Sequence, residues 1–445
     1  MKKFIQTIKD IWSIDELKGK IKLTLGLMIV YRFMAQVTLP GIDPQQLTAL
    51  GNSTSDGLLG LLSAFTGGAF SRASIMALGI MPYISASIVV QLMGIAVPYL
   101  QKLQKDGESG RNKINQITRW LTIGITIVQG GAYLTSLPTL GIPTEAYLLG
   151  QGGWFWISSM ILLTAGTVFA MWLGERITEK GIGNGISLLI MIGIIARFPG
   201  AFAQEVISKV SGDAAGGLMM ILLEIIVWFA IILASILLVT AVRRIAVQYA
   251  RRTVVGSIED AQGARQYIPL KLNSAGVMPI IFAQAIMFVP GLIARNSDGT
   301  LQTVFNALSD FNGWGYNILF CVLIIVFSYF YTAITIPTNK MADDLKKSGG
   351  FIPGTRPGTE TAEKLDSILS KITLPGSIFL ALLAVFPAIV IHFGVQQNWA
   401  LFYGGTSLII MVGVAIDTIQ QINSYLLNRH YDGLMKTGTK RKATI

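Results

Sequence analysis

Arg32, Glu224 and Asp417 are charged side chains set inside long apolar runs. Proton pumps and ion-coupled transporters place paired charges in such runs, at the middle of the membrane. Here the three fall towards the ends of their runs, where a long side chain reaches the interface at little cost. No opposite charge stands in register with any of them at a run's centre, which speaks against ion-coupled transport. Gly181-Ile-Gly-Asn-Gly185 has the glycine density of a phosphate-binding loop, but it lacks the following Lys-Ser/Thr and the preceding strand. A tight turn that opens an apolar helix, entered through Glu175, Arg176, Glu179 and Lys180, accounts for it better. Cys321 is the single cysteine, and His392 and His430 are far apart, so neither an intrachain disulfide nor a metal site is expected. There is no metalloprotease His-Glu pair, nucleophile elbow or carboxylate dyad, and the expectation is no enzyme, no metal and no cofactor.

The remaining candidates are apolar. Ile80 and Ile84 flank Pro82, Ile281 follows Pro279, and Ile190 and Ile410 lie in other runs. A spacing of four puts Ile80 and Ile84 on one helix face. A ring of aliphatic side chains would form a dewetted constriction that stops water and ions yet widens around something large. By residue type alone, the plainer use of such isoleucines as bundle-core or lipid-facing residues has the stronger claim.

These residues need a membrane to position them. The 445 residues are 52% hydrophobic and only 13% charged, with a mean hydropathy of +0.58; a soluble chain carries about 25% charged residues. Apolar runs of roughly 20 residues, the length that crosses a bilayer, lie near 23–40, 74–100, 120–137, 154–173, 183–203, 216–241, 274–294, 314–336, 372–393 and 400–423. The expectation is therefore an all-α membrane protein with about ten transmembrane helices. The fifth run is the weakest, being interrupted by Arg197 and Pro199. Residues 1–22 form a polar leader whose Ile5, Ile8, Ile11, Trp12 and Leu17 suit an amphipathic helix at the membrane surface.

Charge orients the runs. Of 35 Lys and Arg, all but Arg32, Arg72, Arg197, Lys209 and Arg295 fall in the leader, the tail or the loops after even-numbered runs. The positive-inside rule makes that side cytoplasmic and puts both termini there. The net charge of +11 then reflects membrane orientation before it reflects nucleic acid. Two cytoplasmic loops, 242–273 and 337–371, are longer than orientation requires and bring Arg243, Arg244, Arg251, Arg252, Lys346, Lys347 and Arg356; they are read as docking surfaces. On the outer side, 57–70 is apolar but too short to cross, and its glycine pairs permit a reversal. A re-entrant helix beside an interior cavity and a plain hydrophobic outer loop both fit it.

Several runs, in order along the chain, resemble the SecY family of bacterial protein-conducting channel subunits. They are Gly67–Ser87, Gly107-Glu-Ser-Gly-Arg111, Trp172–Ser187, Leu270-Lys-Leu-Asn-Ser-Ala-Gly-Val-Met-Pro279, Ala342–Gly358 and Tyr403-Gly-Gly-Thr-Ser-Leu408. The resemblance implies two pseudo-symmetric five-helix halves, about 1–205 and 206–445, around an hourglass pore. It places the pore ring at Ile80, Ile84, Ile190, Ile281 and Ile410. It places a re-entrant plug at 57–70, with Leu58, Leu59, Leu61, Leu62 and Phe65. A lateral gate lies between runs two and three and runs seven and eight, with Gln91 and Asn273 as its polar pair. Arg251, Arg252, Lys346, Lys347 and Arg356 fall on the surface that receives a SecA ATPase or a ribosome. The implied function is passage of unfolded secretory chains across, and release of apolar segments into, the bacterial plasma membrane. The implied partners are SecE-like and SecG-like subunits, signal peptides, nascent polypeptides and membrane lipid. The chain departs from the family twice: it reads Ile336-Pro-Thr-Asn-Lys340 where an Asn-Pro-Arg-Glu stretch is common, and Glu259 and Asp260 stand near the tip of 242–273. The rival readings are a secondary transporter of small solutes and a scaffold or insertase with no continuous pore.

Overall fold

The computed structural model describes residues 11–12, 14–44, 47, 63, 66–138, 146–147, 150, 152–211, 217–249, 266–295, 308 and 313–441. The plug candidates Leu58, Leu59, Leu61, Leu62 and Phe65, the tip residues Arg251 and Arg252, and residues 1–10 and 13 of the leader lie outside them.

Helices dominate. In chain order they are α1 (Asp15–Met34), α2 (Met81–Ala96), α3 (Pro98–Lys105), α4 (Gly107–Ser136), α5 (Gly153–Lys180), α6 (Gly185–Ser211), α7 (Gly217–Thr240), α8 (Met278–Arg295), α9 (Trp314–Thr335), α10 (Thr338–Lys347), α11 (Thr359–His392), α12 (Gln397–Ala400) and α13 (Gly405–Arg441). Each of the ten apolar runs lies on a long helix. Six helices are long and apolar enough to cross a membrane among the described residues, and a seventh joins them if the bent pair α2–α3 is taken as one span. Two of the remaining helices carry charge in their first halves. α1 opens on Asp15, Glu16, Lys18 and Lys20, and the first half of α4 carries Arg111, Lys113 and Arg119.

Three local departures from the run boundaries have physical causes. The first run is helical only to Met34; from there the chain straightens, with Leu39 N–H donating to the Ala73 carbonyl and Ile75 N–H to that of Val37. In the second run, 66–80 makes successive turns and the helix waits until Met81. Gly67, Gly68 and Gly79 all have positive φ there, a conformation that costs glycine nothing. In the fifth run α6 continues through Arg197 and Pro199 to Ser211 despite the lost backbone donor.

The chain forms two compact units, Met1–Ala203 with Val414–Ile445, and Gln204–Gly413. In the first unit α4 packs against α2 and α5. Its inward stripe of Thr118, Thr122, Thr126 and Gly130 repeats every four residues, small enough for close helix approach. Each of the three threonine hydroxyls donates to the carbonyl four residues back, so no polar group is stranded. Beside it, Leu39, Phe70, Ala73, Tyr133, Leu137, Tyr147 and Phe155 belong to one core cluster. Backbones touch where α5 passes the 66–80 segment: a Cβ on Gly166 would overlap the carbonyl of Ile75, whereas one on Gly124 meets nothing within 4 Å. Gly166→Leu is expected to cost about 3 kcal/mol or more by overpacking, and Gly124→Ala to gain up to about 1 kcal/mol from helix propensity. Thermal unfolding of the two detergent-solubilised variants checks the contrast.

The second unit adds strands to the helical reading. β1 (Val242–Tyr249), β2 (Gln266–Lys271) and β3 (Gly350–Phe351) form an antiparallel sheet in the order β2-β1-β3. Val242 pairs with Lys271 and Val247 with Gln266, while Gln248 and Tyr249 pair with Phe351 and Gly350. Ile245, Val247 and Leu270 bury one face against Leu345 of α10, Ile352, and Leu365 and Leu369 of α11. The described parts of the two long loops 242–273 and 337–371 therefore pack as one module with its own core. Elsewhere in this unit α9 packs between α8 and α11.

Candidate functional site

The five candidate ring isoleucines share a local setting. Ile80 is the residue that caps α2, and Ile84 is the fourth residue of that helix. Ile281 is the fourth residue of α8, and Ile190 and Ile410 are the sixth residues of α6 and α13. Ile80 thus ends a break in helical structure, and each of the other four follows one by no more than two turns. The breaks are 66–80, Gly181–Asn184, the turns from Leu272 to Val277, and 401–404. Irregular backbone of this kind persists in a membrane only when buried in protein or lining a cavity. Ile80, Ile190 and Ile410 are 4%, 8% and 3% exposed, and Ile84 and Ile281 are half-buried. Ile80, Ile84 and Ile190 belong to the first unit, Ile281 and Ile410 to the second.

The segment that leads into Ile80 is held by two arginines. Arg32 Nη1 donates to the Gly67 carbonyl at 3.3 Å, and Arg72 Nη2 donates to the same oxygen at 3.0 Å. Arg72 also donates from Nε to the Gly68 carbonyl at 3.2 Å and from Nη1 to Gln36 Oε1 at 2.8 Å. Partial burial lowers the Arg72 pKa from its ordinary value, with neighbouring Arg32 adding to the effect. Tyr133 OH donates to the Phe70 carbonyl at 2.8 Å. Arg32, read from sequence as a snorkelling residue at a run's end, instead fastens a turn.

Glu224 is likewise corrected. It is buried, and its Oε1 lies 3.5 Å from Lys209 Nζ. The partner comes from the preceding helix, α6, where run-by-run reading does not look. Asp417 is exposed.

Of the gate pair, Gln91 is exposed on α2, and its Nε2 donates to Ser87 Oγ at 3.4 Å; Asn273 is half-buried in the turn before α8. They lie in different units.

Gly181–Gly185 is closed to phosphate because its donors are occupied. Ile182 N–H donates to Thr24 Oγ1 at 3.1 Å, Gly183 N–H to Gln421 Oε1 at 2.8 Å, and Gly185 N–H to Thr178 Oγ1 at 2.9 Å. Gly183 has φ 84°, which favours glycine. The loop thus ties α1, α5 and the middle of α13 together; the partners Thr24 and Gln421 carry no motif that would announce them.

The module of the second unit presents its charge outward. Arg243, Arg244, Lys346, Lys347 and Arg356 are all exposed. Lys346 and Lys347 end α10, where cations complement the helix dipole. Arg356 sits in a turn between Gly354 (φ 82°) and Gly358 (φ 116°). Its N–H donates to Glu360 Oε2 at 3.1 Å, and its carbonyl accepts from Thr361 Oγ1 at 2.8 Å. The backbone is fixed while the guanidinium makes no ion pair among the described residues. Away from this module, Arg119 donates from Nε and Nη2 to the two carboxylate oxygens of Glu175 at 3.0 and 2.6 Å, and this pairing raises the arginine's pKa.

Residues 74–419 match the family model described as SecY. The chain is 39% identical over 432 residues to the protein translocase subunit SecY of Streptomyces coelicolor, covering 95% of this chain and 97% of that protein. It is 38% identical over 459 residues to the corresponding subunit of Mycobacterium tuberculosis, covering 97% and 99%. Among solved structures it is similar to a protein-conducting channel, with TM-score 0.57 and 17% identity over 92% of each chain. It is also similar to a chain of an idle yeast Ssh1 complex bound to the yeast 80S ribosome, with TM-score 0.60 and 14% identity over 91% of this chain and 89% of that one.

Proposed function

The chain belongs to the SecY family, and on that premise we propose that it is the pore of a bacterial protein translocase. It is a multi-pass membrane protein, and it is a channel subunit, not an enzyme. An unfolded secretory chain enters from the cytoplasm, and an apolar signal segment intercalates between α2 and α4 on one side and α8 and α9 on the other. The plug segment 57–70 yields, and the chain passes Ile80, Ile84, Ile190, Ile281 and Ile410. The observation that carries this reading is the recurrence of those isoleucines within two turns of a helix start. Aliphatic side chains at such breaks close to water and ions, yet part without breaking any hydrogen bond.

The two halves, 1–205 and 206–445, would clasp the pore, with a SecE-like single-span subunit and a SecG-like subunit around them. Energy comes from a SecA ATPase or a ribosome docked on the basic module, where Arg356, Lys346 and Lys347 are exposed and Arg251 and Arg252 adjoin β1 in sequence. The one-sided distribution of Lys and Arg supports a plasma-membrane orientation with both termini in the cytoplasm. The test is reconstitution of the purified chain with SecE and SecG into proteoliposomes containing SecA outside. ATP-dependent protection of a secretory precursor from protease is expected; saturable uptake of a small solute without partners would favour a transporter instead.

A further inference from the structure

Glu205 and Glu224 are 1% and 4% exposed and, among the described residues, share Lys209 as their counter-charge. Lys209 Nζ lies 3.7 Å from Glu205 Oε1 and 3.5 Å from Glu224 Oε1. The same ammonium donates to the Gly394 carbonyl at 2.8 Å. The other oxygen of Glu205 accepts the Gln396 N–H at 2.9 Å, and Asn398 Nδ2 donates to Gln204 Oε1 at 3.1 Å. One residue on, Trp399 is buried against Trp228, with ring centroids 5.8 Å apart, and the Trp228 indole N–H donates to the Phe402 carbonyl at 3.0 Å. All of these groups belong to the second unit. They pin the connection between α11 and α13, and Ile410 follows five residues after Gly405 opens α13.

Lys209 is also one of the five basic residues on the side of the chain that is otherwise depleted of them. A lysine kept there has a task other than orientation. Without it, two buried carboxylates face each other with no counter-charge between them, an arrangement that low dielectric makes strongly unfavourable. The anchor at Gly394 would be lost with the ammonium, and Glu205, which holds Gln396, would either move away from Glu224 or share a proton with it.

We propose that Lys209 is a positioning residue for the pore seal: by bridging Glu205, Glu224 and the Gly394 carbonyl it sets where α13 begins, and so where Ile410 stands. The proposal rests on the reading of Ile410 as a ring residue. The test uses the purified complex in proteoliposomes, with Cys321→Ala and Ile410→Cys, and follows the reaction rate of the new thiol with a membrane-impermeant methanethiosulfonate. Lys209→Met is expected to raise that rate about tenfold, and Lys209→Arg to restore it. Gln396→Pro replaces the N–H that Glu205 accepts with a ring carbon, at an exposed residue whose φ of −60° suits proline; it leaves all three charges in place and is expected to raise the rate severalfold. Unchanged rates in both Lys209→Met and Gln396→Pro, or a raised rate that Lys209→Arg fails to restore, would overturn the proposal. A merely structural role would lower the melting temperature without moving the thiol's rate. The ring reading is tested apart from this: Ile410→Gly with Lys209 intact must leak ions, and its failure to do so counts against the ring whatever Lys209 does.

Discussion

Glycine at Ile84, Ile190, Ile281 and Ile410 is expected to convert a sealed channel into one that conducts ions at rest, with a closed-state conductance in planar bilayers at least tenfold above the parent. An aliphatic constriction blocks by dewetting, and the block depends steeply on width. Removing four branched side chains takes away the apolar collar while leaving every polar group where it was. The same change carries a stability cost, because large-to-small substitution of a buried aliphatic costs about 2–5 kcal/mol and Ile190 and Ile410 are well buried. Ile84→Gly and Ile281→Gly alone, at half-buried positions, therefore separate leak from loss of fold. Each should leak measurably, and the combination more than either. Glycine at the exposed helix positions Ile226 and Leu233 should leave conductance at the parental level. Equal conductance in ring and control variants would remove the ring assignment.

Arg356→Glu is expected to reduce motor-driven export at least tenfold in proteoliposomes while the protein inserts and accumulates normally. Tenfold corresponds to about 1.4 kcal/mol. Reversing one charge at an interface reaches that easily, since two unit charges 4 Å apart interact by about 4 kcal/mol at an effective dielectric of 20. Stability should change little, because the side chain is exposed and the turn is held by backbone bonds to Glu360 and Thr361. Arg356→Lys should recover only part of the activity if the partner is gripped by the planar guanidinium fork. Normal export in Arg356→Glu would show that docking relies on other residues of the module.

How far the molecule could be read from its residues depended on which physics wrote them. Lipid demands long apolar helices, so the ten runs were visible and each carries a helix. The breaks before Ile84, Ile190, Ile281 and Ile410 were visible only in part, as Pro82, Pro279 and the glycines of 181–185 and 403–405. Isoleucine carries no chemistry of its own, so its role in a seal rested on family resemblance. The sheet of the second unit was not legible. β1 reads Val-Arg-Arg-Ile-Ala-Val-Gln-Tyr, whose charges suit a loop, and β3 is two residues contributed from far along the chain. Glu224 was misjudged because hydropathy weighs each run alone, and Lys209 approaches it from the neighbouring helix. Arg32 was misjudged for the same reason, its partner being a backbone carbonyl at Gly67 that no side-chain pattern announces.

Conduction through the isoleucine ring is tested most directly by where a chain in transit touches the protein. A secretory precursor fused to a tightly folded domain stalls with its unfolded part inside the channel, and a photoreactive residue at 84, 190, 281 or 410 reports contact. Crosslinks to the stalled chain are expected from all four positions and from neither 226 nor 233. Crosslinks confined to 226 and 233, or absent from all four ring positions while the precursor is demonstrably stalled, would contradict the account.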